Sequence, residues 1–218
     1  IEDAAGGTGS EFTTATLTAG QSVTVHAAGY DADDNYRSDE SVNWSTTGSL
    51  DDTTASGTSF TFTALTAPAS GTIVADHAGA GVTDDATGEI TVNAGTVNYL
   101  VIRTAANNGG AEFTTANITT DDAVTLYAAG YDSEDNYVRD VGADWTLDSG
   151  DLVGVGGTGT SYTYSPSVSP TSGAIRADST GLTGDVTGTI DVADGALAYI
   201  RIEDAAGGTG SEFTTATL

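Results

Sequence analysis

Two acidic turns carry the side chains that could bind a metal ion. In the first turn, Asp31, Asp33 and Asn35 occupy alternate positions, and Asp39 follows four residues later. Hard carboxylate and amide oxygens at this spacing suit Ca²⁺, which takes ~6–8 oxygen ligands. The sequence therefore predicts calcium as the one candidate cofactor, with these ligands in the second turn: Asp132, Glu134, Asn136 and Asp140.

A plain hairpin turn is the alternative interpretation of the same residues. The first turn has Tyr36 where an EF-hand loop has glycine, and Val42 where it has the bidentate glutamate. Asp and Asn also favour turns because their side chains bond to their own backbone. Both interpretations stay open, and thermal melting with calcium or a chelator separates them.

Catalytic chemistry has little support in the sequence. His26 aligns with Tyr127, and His77 aligns with Ser179, so neither histidine recurs in the second copy. Cysteine and lysine are absent, which removes the usual nucleophile–base pairs and the thiolate ligands of zinc. We therefore expect no catalytic residues and no enzyme activity, and we interpret the loop Gly6–Gly9 as a turn rather than a phosphate site.

The charge balance limits the class of partner. The chain has 31 acidic and five basic residues, and its net charge is −26. Nucleic acids and anionic membranes would repel such a surface, so neither is expected as a partner. No apolar run is long enough to insert into a membrane, and the absence of cysteine excludes disulfides.

The chain repeats itself on a domain scale. Residues 1–17 return letter for letter as residues 202–218, and a diverged copy occupies residues 102–118. This pattern predicts a repeat at 1–97 with a shortened first strand, a second repeat at 98–198, and the first strands of a third at 199–218. We expect the last segment to continue as a further domain or to lie against the first domain of a neighbouring molecule.

The elements that must position these turns are short strands. Val23 and Val25 alternate with polar residues, as do Val42 and Trp44, which is the period of a half-buried strand. Apolar residues with helical spacing are absent. Trp44 and Trp145 are expected in the core between two sheets. The sequence thus predicts an all-β fold of antiparallel sandwiches, joined into a rod by a linker of only six residues.

The segments AAGYDADDNYRSDESVNWS and AAGYDSEDNYVRDVGADWT resemble the bacterial immunoglobulin-like (Ig-like) domains of invasin- and intimin-type surface proteins. Asp34-Asn35 and Asp135-Asn136 stand where many relatives have Gly-Asn. The resemblance implies tandem Ig-like sandwiches on an extracellular or cell-surface protein. It also implies a structural role, as a repeat of a long stalk, adhesin or fibre.

Two kinds of partner follow from these expectations. The first is a neighbouring copy of the same repeat, in the same chain or in another. The second is a host, cell-surface or matrix polymer. The alternative function is a carbohydrate- or protein-binding accessory module, for which the exposed aromatic candidates are Tyr30, Tyr36, Tyr131 and Tyr137.

Overall fold

The computed structural model describes residues 1–79, 81–212 and 214, and every regular element within them is a β-strand. Phe213 and residues 215–218, which belong to the predicted start of a third repeat, lie outside the described residues. No helix that is long and apolar enough to cross a membrane occurs in the described part.

The described residues of the first repeat form eleven short strands. They are β1 (Ala15–Thr18), β2 (Ser22–His26), β3 (Ala28–Tyr30), β4 (Tyr36–Asp39), β5 (Val42–Thr46), β6 (Thr54–Gly57), β7 (Ser59–Thr63), β8 (Ala69–Gly71), β9 (Ile73–Asp76), β10 (Asp85–Ala86) and β11 (Ile90–Asn93).

The second repeat contains ten strands, several of them longer. They are β12 (Tyr99–Arg103), β13 (Ala116–Thr119), β14 (Val124–Tyr131), β15 (Tyr137–Asp140), β16 (Ala143–Gly150), β17 (Gly157–Gly159), β18 (Ser161–Tyr164), β19 (Thr171–Asp178), β20 (Asp185–Val186) and β21 (Ile190–Ala193).

The second repeat is a sandwich of two sheets. One sheet has the order β12-β14-β15, with β18 also paired to β14. The other has the order β13-β21-β19-β16-β17, with β20 paired to β19. Both sheets contribute inward side chains to one core, because alternate residues of a strand point to the same face. The predicted all-β Ig-like sandwich is confirmed.

One strand pair in each repeat departs from the antiparallel pattern. β1 runs parallel to β11, and β13 runs parallel to β21. A glycine precedes the second strand of each pair and lies against the chain that enters the first strand. A Cβ added at Gly88 would lie 1.6 Å from the backbone oxygen of Thr13, and one at Gly188 would lie 1.5 Å from that of Thr114.

The tryptophans form the centre of each core, as the sequence predicts. Trp44 and Trp145 are each 1% exposed. Their indole N–H groups donate to the backbone oxygens of Gly57 and Gly159, at 2.9 and 3.1 Å. Each ring is therefore buried with its polar atom satisfied, which is the arrangement that stabilises a buried indole.

The two repeats differ at the edge where β12 lies. In repeat 2, β12 pairs with β14 from Tyr127 to Tyr131, and β14 runs unbroken. In repeat 1 the matching stretch is divided into β2 and β3. Glu2 pairs there with His26 through two backbone hydrogen bonds of 2.9 Å.

Candidate functional site: the acidic turn at the end of each repeat

The acidic turns have the same internal geometry in both repeats. In repeat 1, the Asp31 Oδ1 atom accepts hydrogen bonds from the backbone N–H groups of Asp33 and Asn35, both at 3.0 Å. Asp34 has φ of 64°, a left-handed conformation that an aspartate tolerates better than most residues. The turn is thus held by its own side chains, because the carboxylate of Asp31 replaces the backbone acceptors that a tight turn lacks.

The turn of repeat 2 reaches the linker between the repeats. Asp132 accepts N–H bonds from Glu134 and Asn136 at 3.0 and 2.8 Å, which matches the first turn. Its second oxygen, Oδ2, also accepts a 2.7 Å hydrogen bond from the backbone N–H of Gly95 in the linker. The same carboxylate therefore organises its turn and binds the segment that precedes the repeat.

Asn136 extends this contact into the body of repeat 1. Its Oδ1 atom accepts a 2.7 Å hydrogen bond from the backbone N–H of Ala67, and its Nδ2 donates to the backbone oxygen of Leu65 at 2.8 Å. Asp132 is 1% exposed and Asn136 is 8% exposed, whereas Asn35 is exposed in repeat 1. Docking against repeat 1 accounts for the burial of the second turn.

The environment of Asp132 favours the ionised carboxylate. Burial raises the pKa of Asp132, but the N–H groups of Gly95, Asn136 and Glu134 outweigh burial, so the pKa lies below the ordinary value. The N–H groups of Asn35 and Asp33 lower the pKa of Asp31 in the same way. Both turns therefore present a charged acceptor at neutral pH.

Asp39 and Asp140 serve a second contact rather than the turn itself. The Asp39 carboxylate accepts the backbone N–H of Gly6 at 3.0 and 3.1 Å, and the Asp140 carboxylate accepts that of Asn107 at 3.2 and 3.0 Å. A tyrosine hydroxyl also donates to each carboxylate. Asp39 and Asp140 thus connect the loops at Gly6 and Asn107 to β4 and β15, the strands that follow the acidic turns.

The remaining two predicted ligands lie at the outer side of the turns. Asp33 is exposed, while Glu134 is half-buried with its Oε1 atom 3.0 Å from where a Cβ would lie at Gly20. Among the residues that the structure describes, no group of three or more His, Cys, Asp or Glu side chains could hold a metal ion. Calcium binding stays a prediction, whereas the carboxylates of Asp31, Asp39, Asp132 and Asp140 accept backbone N–H groups in the structure.

Tyrosines surround the turn of repeat 2. Tyr99 and Tyr131 stack with ring centroids 5.5 Å apart, and Tyr137 meets Tyr131 edge-on at 6.0 Å. Burial and a 2.7 Å hydrogen bond to Asp135 raise the pKa of Tyr99 to about 12. In repeat 1, Tyr30 and Tyr36 also meet edge-on, at 5.9 Å, but they are 46% and 38% exposed.

The linker after repeat 2 is held differently from the linker after repeat 1. Gly195 N–H donates to Thr120 Oγ1 at 3.0 Å, and Ala196 N–H donates to Asp121 Oδ2 at 2.6 Å. Ala19 and Gly20 occupy the matching positions in repeat 1. Both linkers are thus bonded to side chains of repeat 2, the first through Asp132 and the second through Thr120 and Asp121.

Sequence reasoning located the turns but missed their partners. Leu65, Ala67 and Gly95 take part through backbone atoms, and such contacts leave no signature in residue type. One signal was available in the alignment of the copies. Gly20 stands against Asp121 beside otherwise similar linkers, which indicates a different joint after each repeat.

No family model matches the chain, and no curated protein matches it. Solved structures of Ig-like and fibronectin-III-like domains do match. Dpr2 Ig1–Ig2 in complex with DIP-Theta Ig1–Ig3 is 10% identical at a TM-score of 0.38, over 84% of this chain and 62% of that chain. The Drosophila OTK extracellular domains 3–5 are 7% identical at 0.38, over 84% and 64%.

A bacterial structure is also among the similar folds. The fibronectin(III)-like modules of Clostridium thermocellum CbhA are 12% identical at a TM-score of 0.29, over 87% of this chain and 95% of that chain. This chain spans less than two thirds of the length of the Dpr2–DIP-Theta and OTK chains. The fold class is Ig-like.

Proposed function

We propose that this chain is a structural segment of a long extracellular bacterial stalk, adhesin or fibre, in which docked acidic turns hold successive Ig-like repeats in line. The observation that carries the proposal is the burial of Asp132 and Asn136 against repeat 1. Their side chains bond to Gly95, Ala67 and Leu65 across the joint. The repeats are therefore connected by more than a linker.

The hydrogen bonds across this joint support a stiff connection between the two repeats. A rotation of repeat 2 away from repeat 1 breaks the bonds of Asn136 to Leu65 and Ala67. Such hydrogen bonds contribute about 0.5–1.5 kcal/mol each, and a buried group left without a partner costs about 1–3 kcal/mol. A stiff joint serves a spacer that must keep its distal end away from a surface.

The charge favours solubility and a saline setting. With a net charge of −26 and no cysteine, the repeats depend on packing and on their ionic surroundings rather than on disulfides. We propose neighbouring copies of the repeat as the first partners, and a host, cell-surface or matrix polymer as the distal one. The proposed function is non-catalytic.

Spin-label distance measurements test the stiffness of the joint. Because the chain has no cysteine, Ser56→Cys and Thr158→Cys place labels at matching exposed positions of the two repeats. We expect one narrow distance distribution in the parent chain. Asn136→Ala removes both bonds to Leu65 and Ala67, so the distribution should broaden.

Asn35→Ala is the matched control, since Asn35 makes the same bonds within its turn but is exposed. We expect that control to keep the narrow distribution. A broad distribution in the parent chain, or equal effects of the two substitutions, would contradict the proposal.

The alternative is a carbohydrate- or protein-binding module, which the exposed rings of Tyr30 and Tyr36 favour. Aromatic faces at a domain end can stack on sugars. A glycan array probed with the chain, and with Tyr30→Ser and Tyr36→Ser variants, distinguishes this role. Binding that both substitutions abolish would favour the module, whereas a spacer gives no signal.

A further inference from the structure

We propose that the contact between Gly20 and Glu134 determines which repeats can be joined: the end of repeat 1 accepts the acidic turn of repeat 2, and the end of repeat 2 excludes it. The inference rests on the proposed function, because it assigns a partner specificity to the docked joint. Its basis is the joint inside this chain, together with the residues at the matching positions of repeat 2.

The receiving surface is a glycine in the turn between β1 and β2. Gly20 has φ of 89°, in the left-handed region that favours glycine, and its N–H donates to the backbone oxygen of Ala64 at 2.7 Å. A Cβ added there would lie 3.0 Å from Oε1 of Glu134 and 3.3 Å from its carboxyl carbon. The Glu134 carboxylate therefore packs on the bare backbone of Gly20.

The Glu134 side chain is oriented by its neighbours in the turn. The Ser133 hydroxyl donates to Oε2 of Glu134 at 2.7 Å, while Oε1 is the carboxylate atom nearest to Gly20. The turn that carries both residues is docked through Asn136, whose bonds to repeat 1 span the joint. The position of this carboxylate is thus part of the docked arrangement.

The acidic turn of repeat 1 has a different outer surface. Ala32 stands at the position of Ser133, so no hydroxyl is present to orient a neighbouring carboxylate. Asp33 stands at the position of Glu134, is shorter by one methylene, and is exposed. The two turns share their internal geometry, but only the turn of repeat 2 has the side chains that contact Gly20.

The end of repeat 2 has a carboxylate at the position that matches Gly20. Asp121 accepts the N–H of Ala196 through Oδ2 at 2.6 Å, and a Cβ added at Gly195 would lie 2.6 Å from its Oδ1. An acid and the linker thus occupy the place that is open above Gly20. A glutamate set on Asp121 as Glu134 is set on Gly20 would meet a like charge in an occupied position.

These two positions specify an order of repeats. The turn of repeat 2 fits the end of repeat 1, and Asp121 opposes the same turn at the end of repeat 2. Specific interfaces often combine a fitting partner with a repulsive element against the wrong one. The chain agrees with this order, because residues 202–218, which follow repeat 2, have the sequence of residues 1–17 and not that of residues 102–118.

The test gives the end of repeat 1 the residue found at the end of repeat 2, by Gly20→Asp in the full chain. The measurement is the hydrogen exchange rate of the Ala67 amide by NMR, because this N–H is bonded to Asn136 across the joint. Two unit charges ~4 Å apart repel enough, even at the dielectric constant of water, to change an equilibrium about fivefold.

Gly20→Asn is the matched control, because asparagine has the size of aspartate and the same backbone strain at this φ but no charge. We expect the Ala67 amide to exchange about fivefold faster in Gly20→Asp than in Gly20→Asn. Adding Glu134→Gln to Gly20→Asp removes the repulsion and should restore the rate of the asparagine variant. The amides of Thr87 and Thr187, each bonded within its own sandwich at 2.9 Å, should keep their parent rates.

Equal Ala67 exchange in the aspartate and asparagine variants, or no restoration by Glu134→Gln, would overturn the proposal. An equal acceleration at Thr87 or Thr187 would also overturn it, because the effect would then be unfolding of a repeat. These results leave the proposed function standing if the parent chain keeps its narrow spin-label distribution. A broad distribution together with an unprotected Ala67 amide in the parent chain would overturn both.

Discussion

Asn35 and Asn136 hold the same place in two copies of one turn, and each donates to the aspartate four residues before it. The structure gives Asn136 two further bonds, to Leu65 and Ala67 of the preceding repeat. A side chain whose local role is to close a turn thereby also fastens two domains. The fastening role of Asn136 depends on the backbone of repeat 1 that lies opposite it and not on the geometry of its own turn.

At the residue scale, Asp132 should make the joint sensitive to acid. The pKa of this carboxyl is lowered in the folded chain, so ionised Asp132 stabilises the joint above its unfolded pKa of about 3.9. That contribution is lost as pH falls through the lower folded pKa. We expect Asp132→Asn to destabilise the chain at pH 7 by about 1–3 kcal/mol, because the Gly95 N–H loses a charged acceptor.

Thermal melting from pH 7 downward measures this effect. The difference between the parent chain and Asp132→Asn should shrink below about pH 4. The comparison at each pH cancels the general effect of neutralising the other carboxylates. A difference that is constant with pH would contradict this role of the charge.

If the turns bind calcium, thermal melting should depend on calcium as well as on pH. Bare carboxylates at Asp31, Asp33 and Asp39 repel one another, and a bound cation would relieve that repulsion. Saturation to ~100 times Kd raises stability by about 2.7 kcal/mol. The calcium prediction therefore requires a melting temperature that rises with millimolar calcium and falls with chelator. In the double variant Asp33→Ala, Glu134→Ala the melting temperature should no longer respond to calcium or chelator. Equal melting curves at matched ionic strength would contradict calcium binding and leave Asp31 and Asp39 only as acceptors of backbone N–H groups.

At the scale of elements, much of the sandwich could be predicted from alternation. The strands around Val23, Trp44 and Trp145 have one apolar face each, and the structure places those faces in the cores. The parallel pairs β1–β11 and β13–β21 could not be predicted in this way. Alternation shows which face of a strand is buried, but it carries no information about the direction of the neighbouring strand.

The same limit explains what could be predicted of the candidate site. The turns favour Asp and Asn because these side chains bond to the nearby backbone, so residue type was enough to locate them. Their docking depends on backbone atoms of Leu65, Ala67 and Gly95, which residue type alone does not single out as partners. The joint is therefore a property of tertiary placement.

The parallel edge leads to a prediction about Gly188. A Cβ there would overlap the backbone oxygen of Thr114, so Gly188→Ala must push β13 away from β21. We expect a loss of more than about 2 kcal/mol in the free energy of unfolding, measured by chemical denaturation. Gly142→Ala is the control, since nothing lies within 4 Å of its Cβ and its φ is not positive. Equal effects at the two glycines would contradict the steric argument.

At the scale of the whole molecule, the charge of −26 opposes close packing of repeats. Raising NaCl from 0.1 to 1 M shortens the Debye length from about 10 to about 3 Å and screens this repulsion. We expect the melting temperature to rise over that range. A variant with Asp52→Asn, Glu89→Gln and Glu112→Gln should respond less, because its exposed charge is lower. An equal response would assign the effect to something other than charge screening.

The bonds of the second acidic turn have a mechanical consequence for this pair of repeats. The turn fastens the linker through Gly95 and the body of repeat 1 through Leu65 and Ala67. When the two repeats are pulled apart along the chain, these hydrogen bonds must break before the linker can straighten.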